Sequence, residues 1–596
     1  MTDSIPPIAS AQDGTYPRPQ LMRAQWSDLC GSWQFSAGRA DAQPADIVFE
    51  RSILVPFPPE SRASGIGDPG RLDSVWYRRT FGPAELGAAG RSDAAGRVLL
   101  HFGAVDWEAT VWVNGVIVAR HRGGQTPFSA DISHALLEGE NEIVVHALDD
   151  SADVSILRGK QDWRDEPHSI WYQRTTGIWQ PVWLEAVPAT SVSALRWTTD
   201  IPSADVGLEI DVAGATEDDS WVHVELRHDG GLLAESRTRL LSGSCTVRLH
   251  LPRQHNGQQY EELLWSPEHP TLIDASVRVE TPRGEDVVSS YVGIRSVATD
   301  GAAFLLNDRP ATVRAVLAQN YWPESHLAAP SADALRREVE LILELGFNTA
   351  RVHQKAEDPR FLYWADRLGL MVWAETANAY AFDRRAISHL MTEWMALVER
   401  DISHPSVIAW VPLNESWGVQ HIAHDDRQRA FSRSVADVTR ALDGTRPVIS
   451  NDGWEHTRSD ILTIHDYAAS PAVLTARYGD AAALDRMLDG YGPAGRKISV
   501  ESDGHTKPVM LTEFGGVSLR PENGTDWGYS TAASPDEFGE RVCALIRAVA
   551  TAAPLSGFCY TQLTDTGQET NGLLREDRTP KIAVDKVRAA VRGDDS

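Results

Sequence analysis

Ser331-Ala-Asp-Ala-Leu-Arg-Arg-Glu-Val-Glu-Leu-Ile-Leu-Glu-Leu-Gly346, followed by Phe347-Asn-Thr-Ala-Arg-Val352, decides the fold of the larger part of this chain. Ser331 can cap a helix whose apolar positions Leu335, Val339, Ile342 and Leu343 share one face, and Gly346 stops it before a short apolar run that reads as a strand. The alternation continues to the carboxyl end. Strand candidates are Thr312–Ala318, Asn348–Val352, Leu370–Ala374, Val407–Leu413, Pro447–Ser450, Ile461–Ile464, Val509–Thr512 and Gly557–Leu563. Helical patterns lie between them, among them Arg360–Leu368, Ala386–Asp401, Arg427–Leu442 and Asp536–Ala552. Eight such units over residues 298–596 predict a (β/α)₈ barrel.

Upstream the texture differs. From Trp33 to Pro188, runs such as Arg97–Phe102, Ala109–Val113 and Glu142–Ala147 are punctuated by Gly, Asn, Asp and Pro, and Asn114-Gly115 reads as a tight hairpin turn. Residues 1–188 are therefore expected to form a β-sandwich. Alternation in Leu208–Val212, Trp221–Arg227, Thr246–Leu251 and Ala275–Val279 predicts a second, immunoglobulin-sized β-sandwich over residues 189–297.

A chain of 596 residues is too long for one core, which agrees with several domains. With 56 Lys plus Arg against 83 Asp plus Glu, the net charge is −27, a field that repels phosphate backbones and anionic lipid. Nucleic acid and membranes are excluded as partners, whereas a small carbohydrate is indifferent to that field. The 20 tryptophans offer flat faces for sugar rings, although tryptophan also fills cores. Cys30, Cys245, Cys543 and Cys559 lack metal-ligand spacing and read as buried free thiols, so neither a metal nor another cofactor is expected. Met1 to Pro19 shows no secretory pattern, which makes the cytoplasm the expected location. A homo-oligomer is left open.

In such a barrel the chemistry sits at the carboxyl ends of the strands. That rule selects Asn320 and Trp322, Arg351 and His353, Glu375, Asn414 and Glu415, Asp452 and Trp454, His465 and Tyr467, Glu513, and Gln562. Acetal hydrolysis needs two carboxyls, one to protonate the leaving oxygen and one to attack or shield the oxocarbenium-like carbon. Glu415 and Glu513 each directly follow an apolar run. Glu375 reads as a ligand contact or a structural ion pair, and Arg351 as the group that keeps the nucleophile ionised. His353, His404 and His465 read first as hydrogen-bonded scaffold. Gly159-Lys-Gln-Asp-Trp163 reads either as a loop reaching towards the site or as plain surface.

Ile408-Ala-Trp-Val-Pro-Leu-Asn-Glu-Ser-Trp417, preceded by Arg400-Asp-Ile-Ser-His-Pro-Ser406, resembles the acid/base signature of glycoside hydrolase family 2. Val509-Met-Leu-Thr-Glu-Phe-Gly-Gly516 is similar to the family's nucleophile strand, and Arg351-Val-His353 to its second-strand arginine motif. Gly31-Ser-Trp-Gln-Phe35, Val111-Trp-Val-Asn-Gly115 and Thr176-Gly-Ile-Trp-Gln-Pro-Val-Trp183 resemble its sugar-binding jelly roll. The resemblance implies a jelly-roll β-sandwich, an immunoglobulin-like sandwich and a catalytic barrel. It further implies an exo-acting retaining double displacement, with Glu415 as general acid/base, Glu513 as nucleophile and Asn414 on the hydroxyl beside the reacting carbon. Tyr467 would donate to Glu513, and His465 would line the pocket.

Departures from the family pattern shape the expected glycone. Family β-glucuronidases carry Asn-x-Lys near the last barrel strand, whereas this chain reads Asp565-Thr-Gly-Gln-Glu-Thr-Asn-Gly572 with no lysine until Lys581, which disfavours a uronic acid. Asn451-Asp-Gly-Trp454 and Tyr560-Thr-Gln-Leu-Thr-Asp565 look more like an actinobacterial β-galactosidase-like branch. The expected substrate is a terminal neutral sugar, galactose-configured foremost, with β-galactofuranoside or arabinoside as the alternative. A magnesium site of some family members is not matched at Glu375-Thr-Ala-Asn378. A catalytically silent sugar-binding protein, the alternative of another class, would not need both Glu415 and Glu513.

Overall fold

The computed structural model describes residues 8–91, 96–255, 260–501, 506–520 and 527–594. Near the amino terminus, alternating apolar residues build two antiparallel sheets. One sets Arg51–Val55, Gly31–Ala37, Ser74–Phe81, Asn141–Leu148, Glu108–Val113 and Val116–Arg122 side by side. The other sets out Ser27–Asp28, Val182–Pro188, Gly96–Phe102 and Phe128–Asp131. Phe35, Tyr77, Val111 and Val145 of the first meet Leu100, Phe102 and Leu184 of the second in one buried core. Asn114 and Gly115 turn the hairpin with φ of +49° and +79°, the left-handed pair that a two-residue turn requires.

The next sandwich packs Ser191–Asp200, Asp205–Ala213 and Ser244–His250 against Gly231–Arg239, Trp221–His228, Ile273–Thr281 and Gly284–Val292. Val222, Val224 and Leu226 point into its core while the residues between them are more exposed.

Seven parallel strands form the barrel sheet: β1 (Val313–Ala318), β2 (Thr349–Val352), β3 (Met371–Glu375), β4 (Val407–Val411), β5 (Leu462–Asp466), β6 (Val509–Gly515) and β7 (Gly557–Thr561). They lie in the order β4-β3-β2-β1-β7-β6-β5. Between β1 and β2, Ser331 Oγ accepts from Ala334 N at 3.1 Å and starts the helix Ala332–Glu344. Leu335, Val339 and Ile342 bury its inner face, and Gly346 at φ +92° follows its end.

The expected strand Pro447–Ser450 is not a regular strand. It still lies along β4, with Trp410 N to Pro447 O at 3.1 Å and Ile449 N to Trp410 O at 2.9 Å. On its other edge side chains replace a backbone ladder, since Val448 N donates to Asp460 Oδ2 and Ser450 N to Ser459 Oγ, both at 2.8 Å. Asp460 N to Val448 O at 2.8 Å is the backbone bond that remains on this edge, so an irregular segment stands where the eighth strand was expected.

The flanking domains are hydrogen-bonded to the barrel. Gln125 N donates to Glu393 Oε2 at 2.7 Å and Gln125 Oε1 accepts from Ala356 N at 3.0 Å. Arg295 donates to the carbonyls of Pro405 and Val407 at 3.1 and 2.9 Å. All four cysteines are free, but only Cys543 and Cys559 are buried; Cys30 and Cys245 are half-buried, which corrects the expectation for those two. Among the described residues no helix is long and apolar enough to cross a membrane.

Candidate active site

Arg351, at the carboxyl end of β2, organises the barrel mouth. Its Nε donates to Glu375 Oε1 at 2.5 Å, Nη1 to Glu513 Oε1 at 2.8 Å and Thr512 O at 3.1 Å, and Nη2 to Asn414 Oδ1 at 2.8 Å and His353 Nδ1 at 3.2 Å, with Asp452 Oδ2 ion-paired 2.8 Å from Nη2. All five N–H donors are thereby engaged, and the side chain is fully buried. It was expected both among the substrate contacts and as the group that keeps the nucleophile ionised; its partners give it the second place, as the cation that gathers carboxylates from two other strand ends and the irregular segment.

Glu375 is likewise no spare ligand contact. Its Oε1 faces Arg351 and its Oε2 accepts from Gln354 N at 3.0 Å, with His353 Nδ1 at 3.1 Å. Burial, with Arg351 and Lys160 adding to it, pushes the His353 pKa well below the usual imidazole range, so that ring is neutral.

The two glutamates of the sequence reading come together. Immediately after Asn414 the chain makes two left-handed residues, Glu415 and Ser416, with φ of +52° and +58°. Glu415 N donates to Asp452 O at 2.9 Å and Ser416 N to Asn451 Oδ1 at 2.9 Å, so the irregular eighth segment holds this bend. The Glu415 side chain is 19% exposed and that of Glu513 6%. One carboxyl oxygen of each, together with a ring nitrogen of His465, lie within 4.8 Å of one another.

His465 bridges the pair. Its Nδ1 is 2.7 Å from Glu415 Oε1 and 3.5 Å from Glu513 Oε2, while Nε2 is 3.2 Å from Asp452 Oδ2. Burial favours the neutral ring, but Glu513, Asp452 and Glu415 outweigh it and raise the pKa to about 10. Burial likewise opposes ionisation of Glu513, yet His465 and Arg351 bring that carboxyl down to about 2. At neutral pH the site therefore holds an imidazolium beside an ionised Glu513. Tyr467 OH donates to Glu513 Oε2 and stacks flat on Tyr529. Glu415, His465 and Glu513 are also groups whose donor atoms can converge on a cation.

Asn414 Nδ2 is buried without a hydrogen-bond partner, so it is a donor aimed at something other than the protein. Trp454 sets its ring edgewise on His465, 5.6 Å between centroids, and its buried Nε1 also lacks a partner. Three further predicted residues are engaged by protein partners. Asn320 Nδ2 donates to Glu357 Oε2 at 2.6 Å, Trp322 packs under the Arg578 guanidinium, and Gln562 is buried between Gln319 and Asn571.

Sequence reasoning missed Asn378, whose Oδ1 accepts from Asn414 N at 3.0 Å and from Gln354 Nε2 at 2.9 Å. It missed Tyr529 as well. It also left undecided the segment after Gly159, which does reach the barrel: Gly159 N donates to Asn378 O at 3.1 Å and Tyr380 OH to Gly159 O at 2.5 Å. Trp163, Trp171, Tyr380 and Trp417 form an aromatic wall beside it.

Two carboxyls brought together at the mouth of a barrel from separate strands, bridged by a cation and flanked by unpartnered donors, define the class of a barrel glycosidase. Comparison with known sequences agrees. The family model "Glycosyl hydrolases family 2, sugar binding domain" matches residues 68–188, and "Glycosyl hydrolases family 2, TIM barrel domain" matches residues 297–537. The chain belongs to glycoside hydrolase family 2. It is 27% identical over 565 residues to the β-glucuronidase of Canis lupus familiaris, covering 85% of this chain and 79% of that protein. In fold it is similar to a β-D-glucuronidase of Dictyoglomus thermophilum, with a TM-score of 0.74, 20% identity, and 97% and 98% of the two chains covered. A family-2 β-galacturonidase of Eisenbergiella tayi gives a TM-score of 0.72 at 20% identity, with 96% and 97% covered.

Proposed function

We propose that the protein is an exo-acting, retaining β-glycosidase in which Glu513 is the nucleophile and Glu415 the general acid/base. The carrying observation is the approach of their carboxyl oxygens to within 4.8 Å. Retaining enzymes hold the two carboxyls about 5–5.5 Å apart, whereas inverting ones leave about 6.5–9.5 Å for a water. Glu513 attacks the anomeric carbon while Glu415 protonates the departing oxygen, giving a glycosyl ester on Glu513. Glu415 then takes a proton from the water that hydrolyses the ester. Asn414 Nδ2 donates to the sugar hydroxyl beside the reacting carbon, and Tyr467 and Arg351 hold the nucleophile. The wall of Trp163, Trp171, Tyr380 and Trp417 closes one side of the mouth, which suits removal of a single terminal sugar.

The relatives named above turn the reading of the glycone from a neutral sugar towards a uronic acid. One observation favours the neutral reading. Lys581, the first lysine after the last barrel strand, is bonded to Asp565 and to Thr570 O rather than turned to the site. Where the family lysine was sought, Glu569 receives the hydroxyl of Tyr172 and the amide of Asn571.

Glu513→Gln is expected to lower kcat by about 10⁴-fold or more on every glycoside that the wild type cleaves. Glu415→Gln is expected to lose most activity on poor leaving groups and far less on acidic phenols, which need no proton. Steady-state kinetics on both leaving groups checks this; equal losses from Glu415→Gln would remove that residue from the acid role.

A further inference from the structure

The structure assigns Lys160, delivered from the amino-terminal domain, as the cation that receives a carboxylate of the substrate's terminal sugar, so that the glycone is a uronic acid. This rests on the retaining-glycosidase reading above and names its substrate class.

Charge singles out Lys160. Among the described cations at the barrel mouth, Arg351 has every donor engaged. Arg158 donates to the carbonyls of Ser151 and Asp153 at 2.7 and 2.6 Å. Lys355 is held by Asn320 O at 3.0 Å, Leu327 O at 3.2 Å and Glu357 at 3.4 Å. Lys581 is bound to Asp565 and Thr570. The Lys160 ammonium instead lies 5.7 Å from the ring centre of Tyr172 and 5.8 Å from that of Trp417. Among the described residues, nothing gives it an ion pair or a side-chain hydrogen bond. Aromatic faces stabilise an ammonium without neutralising it, so they leave its charge for a ligand.

Lys160 is also held in place. Gly159 sits at φ +54°, and a Cβ there would come within 2.3 Å of Gln354 O. Only glycine allows this backbone to press against the exits of β2 and β3, where Gln354 and Asn378 lie. On the other side Gln161 Nε2 donates to Asp106 Oδ2 at 2.8 Å and Gln161 Oε1 accepts from Thr175 N at 2.6 Å. Lys160 O accepts from Tyr172 N at 2.8 Å. The residue is therefore fixed at both neighbours and by its own carbonyl. Its side chain shares a narrow cavity with His353, Gln319 and Tyr172, and the His353 ring faces Trp417, which follows Glu415 by two residues.

Glu569 and Glu375, which touch its neighbours Tyr172 and His353, do not compete for it. Glu569 is taken by Tyr172 and Asn571, and Glu375 by Arg351. The missing lysine of the last strand thus need not mean a neutral sugar, because the positive charge can come from another domain.

The test compares kcat/KM on p-nitrophenyl β-glucuronide and β-galacturonide with the matching β-glucoside and β-galactoside, for wild type, Lys160→Gln and Lys160→Arg. The wild type is expected to prefer one of the uronides. A charged hydrogen bond inside a site discriminates by about 10²-fold, so Lys160→Gln is expected to cut the uronide-to-neutral ratio by about 100-fold, with Lys160→Arg restoring part of it. Competition by free glucuronate or galacturonate should weaken in parallel. A wild type with no preference for uronides overturns the assignment, whether it cleaves neutral sugars or none of the four. So does a Lys160→Gln variant in which the ratio is unchanged. Loss of the glycosyl ester on Glu513 would instead strike the underlying mechanism, which is read separately.

Discussion

At the scale of single residues the site is a problem in charge placement. Glu513 and Asp452 would both resist ionisation in so dry a place, and Arg351 with His465 overcomes that resistance. The consequence for stability has opposite signs at the two kinds of group. His465 has its pKa raised from 6.5 to about 10, so its contribution is fully present below pH 6.5 and is lost as pH rises towards 10. Glu513 has its pKa lowered from 4.5 to about 2, so its contribution is present above pH 4.5 and is lost as pH falls towards 2. Thermal unfolding followed from neutral pH to about pH 10 is expected to show a falling Tm, and His465→Asn is expected to remove much of that slope. An unchanged slope in the variant would place the charge elsewhere. The positions of Glu415 and Glu513 are legible in the sequence because each stands at the carboxyl end of a buried apolar run, the end that opens on the mouth of a barrel. Their partners are not legible in the same way. Arg351 meets Glu513 across 162 positions of sequence, and nothing in Arg351-Val-His353 says that Glu375, rather than a sugar, takes its Nε.

At the scale of elements, helices were the most readable features. Ser331, the apolar spacing behind it and Gly346 each act locally, and the helix begins and ends where they say. The segment Pro447–Ser450 was harder, because its apolar run is real but its second edge pairs with side chains of Ser459 and Asp460. The loop at Gly159 was harder still, since its contacts are made with strands roughly two hundred residues later; Tyr380 lies 221 positions away. Its glycine makes it testable. Gly159→Ala forces a side chain into a left-handed position against Gln354 O, and strain of this kind costs about 1–3 kcal/mol. A lower Tm together with a raised KM is the expected outcome. An unaltered KM would show that the loop does not shape the sugar site.

At the scale of the molecule, the sandwiches and the barrel share one functional surface. The amino-terminal domain meets the barrel through Gln125, Gly159 and Trp171, and it contributes part of the aromatic wall. A chain beginning at residue 189 would lose Lys160 and that wall while exposing the buried Glu393, whose pKa burial raises to about 8. Such a truncation is expected to lose activity by about 100-fold or more, as enzymes do when substrate-positioning groups are removed. Retained activity would confine the site to the barrel. The division into β-rich and βα regions was visible in the periodicity of the apolar residues, whereas the glycone depends on which groups from distant domains converge.

The proposed double displacement passes through a glycosyl ester on Glu513. The most direct measurement is the mass of peptides from enzyme inactivated with the 2-deoxy-2-fluoro analogue of its preferred glycoside, in which the fluorine slows hydrolysis of the ester. One fluoroglycosyl residue on the peptide carrying Glu513 is the predicted result. An adduct on any other carboxylate, or an unlabelled enzyme that releases product of inverted anomeric configuration, would contradict it.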